Sequence, residues 1–132
     1  MINKDKIAVI GAGIIGLAIA YKLSLQNKKV IVFEKESNEG MHQSGRNSGV
    51  LHCGLYYKPG SLKAQLSVKG IREMIAFAKS NNIPHDVCGK VVVATSEKEE
   101  KSLGILAERG EKNGLKGLKY LSSEELKKRE PF

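Results

Sequence analysis

The residues best suited to chemistry come early, in the run Gly11-Ala12-Gly13-Ile14-Ile15-Gly16, which directly follows a short apolar stretch. Each glycine has a task that a side chain would spoil. Gly11 permits a tight strand-to-helix turn, Gly13 lets the backbone come up to a pyrophosphate, and Gly16 lets the helix lie close to the strand. The backbone N–H groups of the first helical turn, at Ile14 and Ile15, then face phosphate oxygens with the helix dipole behind them. Glu34 closes a second apolar run and is followed by Lys35. An acid about 20 residues past such glycines reaches the ribose hydroxyls of the adenosine half. A plain surface charge is the alternative for Glu34, and its place at the end of a strand favours the ribose. A carboxylate there repels a 2′-phosphate, which disfavours NADP and leaves FAD and NAD.

A second group of chemically capable residues lies between Gly40 and Gly60: Ser44, Gly45, Arg46, Asn47, Ser48, His52, Tyr56 and Tyr57. Glycines allow close backbone approach, small hydroxyls suit phosphate, and an arginine supplies charge-assisted contacts. So long an irregular stretch in a compact domain is usually functional or disordered, and this side-chain content favours function.

The elements that must position these residues follow from periodicity. Lys6–Ile10 and Val30–Phe33 read as buried strands and Ile14–Gln26 as the helix between them, stopped by Asn27 in a left-handed conformation. From Glu34 to about Gly60 the chain is loop-like, with one short helix expected in the middle. Ser61 is the expected N-cap of a helix reaching Asn81. Val91-Val92-Val93 marks a strand over Lys90–Thr95. Capping boxes, Ser96 with Glu99 and Ser122 with Glu125, open a helix reaching about Asn113 and a short charged helix before Pro131.

Composition narrows the class. The formal charge is +8, from 22 Lys+Arg against 14 Asp+Glu. The lysines alternate with acids, as in Glu97-Lys98-Glu99-Glu100-Lys101, and there is no Trp to stack on bases, so nucleic acid is not expected as a partner. A mildly positive field suits an anionic small-molecule substrate. Cys53 and Cys88 have no metal-ligand spacing and read as reduced thiols, so no metal is expected. Lys4 and Lys6 before the apolar run imitate a signal peptide, but the run is too short to span a membrane, which takes about 20 residues, and no cleavage pattern follows. The chain reads as cytoplasmic and without a transmembrane segment, with peripheral membrane association left open.

The stretch from Gly40 to Ala64, above all Gln43 to Ala64, resembles the corresponding segment of the FAD-dependent oxidoreductases of the D-amino-acid-oxidase superfamily, nearest to the L-2-hydroxyglutarate oxidase/dehydrogenase branch. The resemblance continues through Cys88-Gly89-Lys90, Ala94-Thr95-Ser96 and Arg129-Glu130-Pro131, and so covers essentially the whole chain. It implies FAD rather than NAD. Gly11, Gly13, Gly16 and Glu34 match the ADP-binding positions. Ser44, Gly45, Arg46, Asn47 and Ser48 match the segment passing the flavin pyrophosphate, ribityl chain and ring. His52 and Gly54 match positions near the isoalloxazine, and Tyr56 and Tyr57 lie where they would shape the pocket. His52 is the candidate catalytic base, with a packed loop histidine as the alternative; His42 and His85 read as surface residues.

The implied fold is α/β: the N-terminal part of a Rossmann-like, doubly wound FAD-binding domain over residues 1–82, then the start of an α+β substrate domain over 83–132. No third strand of the nucleotide domain is evident, and the chain is expected to be an N-terminal portion of a longer protein. The implied activity is oxidation of a small 2-hydroxy acid, with L-2-hydroxyglutarate going to 2-oxoglutarate by hydride transfer to flavin N5. The electron acceptor, oxygen or a quinone, is open. The alternatives are a glycerol-3-phosphate or amine/amino-acid oxidoreductase of the same superfamily, or a non-catalytic nucleotide-binding fragment.

Overall fold

A computed structural model describes residues 6–131; Lys4 lies outside them. The element order is β1 (Lys6–Ile10), α1 (Ile14–Ser24), β2 (Lys29–Phe33), α2 (Leu62–Ser80), α3 (Glu97–Lys112) and α4 (Ser123–Arg129). The chain divides into two compact units, residues 1–50 and 51–132.

The first unit is a right-sized βαβ module. β1 and β2 pair in parallel, with Lys6 opposite Lys29 and Ile10 opposite Phe33. Both strands alternate between half-buried and exposed residues. Ile7, Val9, Val30 and Val32 point to one face, and Gly16, Ala20 and Leu23 form the half-buried stripe of α1 at helical spacing. The strands were expected to be buried on both faces. Instead Ile10 is 89% and Phe33 57% exposed, because α1 is the one helix layered on this sheet among the described residues. α1 itself is apolar all round, the pattern of a helix meant to be covered on every side.

The second unit holds three helices. Ser61 caps α2 by accepting from the Ala64 N–H, and Ser122 and Glu125 make the full capping box of α4. At α3 the expected box is only half formed. Ser96 Oγ accepts from the Glu99 N–H at 3.4 Å, but the Glu99 carboxylate reaches past Ser96 to the N–H and hydroxyl of Thr95, at 2.7 and 2.8 Å. Helix ends share one device. Asn27, Asn82 and Gly114 take φ near +57°, +54° and +79°, and the next residue's N–H returns to Leu23, Ala78 and Gly110.

Two further expectations fail. Lys90–Thr95 forms no strand, although its residues favour one, because a strand needs a ladder partner and no described segment supplies it. A cleft of about 900 Å³ opens beside this segment, between it, α3 and the stretch from Gly117 to Leu126. The short helix expected between Glu34 and Gly60 is also absent, replaced by successive turns. There the Asn47 amide donates to the Gln43 and Ser44 carbonyls, at 3.1 and 2.8 Å, taking acceptors that a helical ladder would use.

Candidate functional site

The glycine turn joins β1 to α1, and the structure gives each glycine a physical reason. Gly11 has φ +97°, and its N–H donates to the Phe33 carbonyl at 2.7 Å, tying the turn to the end of β2. A Cβ on Gly16 would collide with the Gly11 carbonyl, so helix and turn could not approach as they do. A Cβ on Gly13 would stand 3.1 Å from Ser44 Oγ, crowding the one hydroxyl aimed at the start of the helix.

Gly13 is the N-cap of α1 and has no side chain to cap it, so the cap comes from far along the chain. Ser44 Oγ accepts from the Ile14 N–H at 2.9 Å. Gly45 is what lets Ser44 arrive there, because a Cβ at Gly45 would meet the Gly40 carbonyl. Gly40 in turn donates its N–H to the Ala12 carbonyl at 3.0 Å.

Glu34 completes the cluster. Its Oε2 accepts from the Ala12 N–H at 2.6 Å, and its Oε1 accepts from Lys35 and Glu36 N–H at 2.9 and 3.1 Å. These donors hold the carboxyl below the usual glutamate range; Ala12 contributes most, then Glu36 and Lys35, with a smaller attraction from His42. A carboxylate offers about four acceptor positions and three are filled here, so one remains on Oε2 for a ribose hydroxyl. A hollow of about 360 Å³ beside Glu34 is lined by Ala12, Leu17, Val32 and the loop from Glu36 to Glu39.

The donor set therefore fits a dinucleotide. The turn offers backbone N–H groups and room for an approaching phosphate. Ser44 can accept from Ile14 while its own proton points onward to a phosphate oxygen. The carboxylate sits where a sugar hydroxyl would donate.

The other expected site residues separate into three groups. Lys35 contributes its backbone N–H, while its ammonium pairs with Glu36 at 3.3 Å. Asn47 braces its own loop, its Oδ1 also accepting from the Gly49 N–H at 2.7 Å. Ile15, Arg46 and Ser48 are exposed, and the Arg46 guanidinium has no protein partner among the described residues. His52 belongs to the second unit and is exposed. In that unit, the rings of Tyr56 and Tyr57 each carry a lysine ammonium, Lys90 and Lys63, at 4.4 Å from the ring centre.

Sequence reasoning missed the part played by Ala12, whose N–H and C=O are both engaged by distant residues. Backbone groups leave no residue-type signal; the structure alone shows the chain folding back at Gly40, whose φ is +70°.

Comparison with known proteins agrees with this geometry. The model of the family "FAD dependent oxidoreductase" matches residues 6–132. The chain is 47% identical over 129 residues to an L-2-hydroxyglutarate dehydrogenase of Indibacter alkaliphilus, covering 96% of this chain and 32% of that protein. It is 48% identical over 127 residues to the mitochondrial L-2-hydroxyglutarate dehydrogenase of Nematostella vectensis, covering 95% of this chain and 28% of that protein. Among solved structures, the dithionite-reduced, FAD-bound L-alpha-glycerophosphate oxidase of Mycoplasma pneumoniae superposes with a TM-score of 0.78 at 28% identity, over 94% of this chain and 34% of that one. The chain thus spans about 30% of the length of the curated relatives it matches. With a glycine turn, a strand-end carboxylate and a family match over nearly every residue, the chain belongs to the FAD-dependent oxidoreductases.

Proposed function

We propose that the complete gene product binds FAD through the first unit and oxidises L-2-hydroxyglutarate to 2-oxoglutarate. The observation that carries the substrate is the identity of 47% and 48% to L-2-hydroxyglutarate dehydrogenases over nearly the full chain. The arrangement of the glycine turn, Ser44 and Glu34 supports the cofactor.

In this reading the Ile15 N–H and the Ser44 hydroxyl, which the Ile14 N–H holds in place, take the pyrophosphate, and Glu34 takes the adenosine ribose. Arg46, which has no side-chain partner among the described residues, supplies a charge-assisted contact to phosphate or to a flavin oxygen. Gly45, Asn47 and Ser48 carry the chain past the ribityl chain. Bound FAD supplies a two-electron acceptor for the hydride leaving the substrate C2. His52, exposed and without a hydrogen-bond partner among the described residues, is the proposed acceptor of the substrate hydroxyl proton. Residues 1–82 are assigned to the FAD-binding region and 83–132 to the start of the substrate domain. A cytoplasmic location is part of the same reading; no described helix is long and apolar enough to cross a membrane.

The test is the absorbance spectrum of the purified gene product, before and after L-2-hydroxyglutarate is added without air. Flavin absorbance that bleaches on addition is the expected result. A colourless protein that takes up no FAD would overturn the cofactor assignment. Bleaching by glycerol 3-phosphate alone would transfer the site to the second reading, which the glycerophosphate oxidase likeness favours.

A further inference from the structure

The loop from His52 to Tyr57 is gripped by side chains that are remote in sequence. Asn113, at the end of α3, donates from Nδ2 to the Gly54 and Tyr57 carbonyls, both at 2.9 Å. Arg109, one turn earlier, donates from Nη1 to the Tyr56 carbonyl at 3.1 Å. Three of the four carbonyls between Gly54 and Tyr57 are thereby fixed by one helix.

The rest of the packing makes the grip specific. Gly54 turns with φ +92°, and a Cβ there would press to 3.2 Å on Val68 of α2. Leu55 is 8% exposed, and a Cβ on the buried Gly110 would come within 2.8 Å of its side chain. The loop lies between α2 and α3, and Arg72 of α2 also donates to the Gly114 carbonyl just past α3, at 3.3 Å. α2 supplies packing against the loop at Val68, and α3 with Asn113 supplies its side-chain hydrogen bonds.

The Asn113 amide also has only one workable orientation. Facing two carbonyls it must present its NH₂, which leaves Oδ1 buried with no donor among the described residues. A buried polar atom without a partner costs stability, and the arrangement keeps it in order to hold two carbonyls.

We propose that Arg109 and Asn113 are positioning residues for the His52–Tyr57 loop, which they hold by three side-chain-to-carbonyl hydrogen bonds. The inference rests on the reading above that this loop borders the flavin. Arg109 and Asn113 touch neither substrate nor cofactor in it; they act through the loop.

The experiment uses the complete holoprotein carrying Asn113→Ala, Arg109→Ala or, as a control on the exposed side of α3, Lys112→Ala. Four quantities are read: FAD content, the shape of the flavin absorbance band, the anaerobic bleaching rate at saturating L-2-hydroxyglutarate, and amide hydrogen exchange over residues 51–60. Asn113→Ala is expected to keep its FAD, exchange faster in the loop, alter the band shape and bleach about tenfold or more slowly, since misplacement by about 1 Å costs on that order or beyond. Arg109→Ala follows with a smaller loss, and Lys112→Ala leaves all four unchanged. If Asn113→Ala does not fold, the milder Arg109→Ala decides by the same readouts. Unaltered band shape and bleaching in the variants, against a wild type that bleaches normally, would overturn the positioning role. A wild type that holds no FAD would instead sink the reading beneath it.

Discussion

At the glycine turn of the first unit, side-chain oxygens grip backbone N–H groups: Glu34 takes Ala12, and Ser44 takes Ile14. At the His52–Tyr57 loop of the second, side-chain N–H groups grip backbone carbonyls: Asn113 takes Gly54 and Tyr57, and Arg109 takes Tyr56. The difference has a functional meaning. Around the glycine turn the tethering groups are themselves the ones that meet a dinucleotide: the Ser44 hydroxyl keeps its proton for a phosphate oxygen, and Glu34 keeps an acceptor position for a ribose hydroxyl. Carbonyls tied to an amide and a guanidinium are removed from ligand chemistry, and that tether acts on shape alone. The first region should respond to the cofactor, and the second should hold its form with or without it.

Gly16→Ala should break the first region most severely. Its Cβ meets the Gly11 carbonyl, and no side-chain rotation relieves a collision with backbone. FAD binding by the complete gene product, followed by fluorescence titration, should weaken on the order of 100-fold. Retention of wild-type affinity would show that the turn is looser than its geometry.

Glu34→Gln should have the next largest effect. It replaces a charge-assisted acceptor with a neutral amide and should weaken FAD binding about tenfold. It also sharpens the pH dependence. The folded carboxyl titrates below its ordinary 4.5, so its stabilising contribution is complete above that value and is lost as pH falls through the folded value. Stability of wild type over Glu34→Gln, from denaturant melts, should be level at neutral pH and disappear only in acid below about 4.5. A difference already fading near neutral pH would contradict the backbone-donor account.

Ser44→Ala should have the smallest effect. It removes the side-chain cap at the start of α1 and should cost about 1 kcal/mol in denaturant melts. FAD added in excess should restore part of that loss, since phosphate oxygens satisfy the same N–H. The stability gap between wild type and Asn113→Ala should not narrow on the same addition.

The glycine turn, the strand-end acid and the helix starts were legible in the sequence because each depends on residue types at short, fixed spacings. Ser61 and Ser122 cap their helices as their spacing predicts. The strand expected over Lys90–Thr95 was not to be had from propensity alone, since a ladder depends on a partner elsewhere. Ser44 illustrates the limit at the site. Its type suggested phosphate, but its seat on the Ile14 N–H depends on the fold-back at Gly40 and Gly45. Asn113 read only as the end of a helix, because nothing local to it points across more than fifty residues to a loop.

The fold-back has a consequence for how this sequence tolerates change. Residues 35–43 leave the glycine turn at Glu34 and return to it at Gly40 and Ser44, so their ends are pinned to one place while Ser37, Asn38 and Glu39 stand exposed. Lengthening a loop whose ends are already fixed costs little, about 0.6 kcal/mol for each doubling. Chain length between Ser37 and Glu39 is therefore nearly decoupled from the geometry of the turn, and a change of length there would act on the hollow beside Glu34, which these residues line, and not on the glycines.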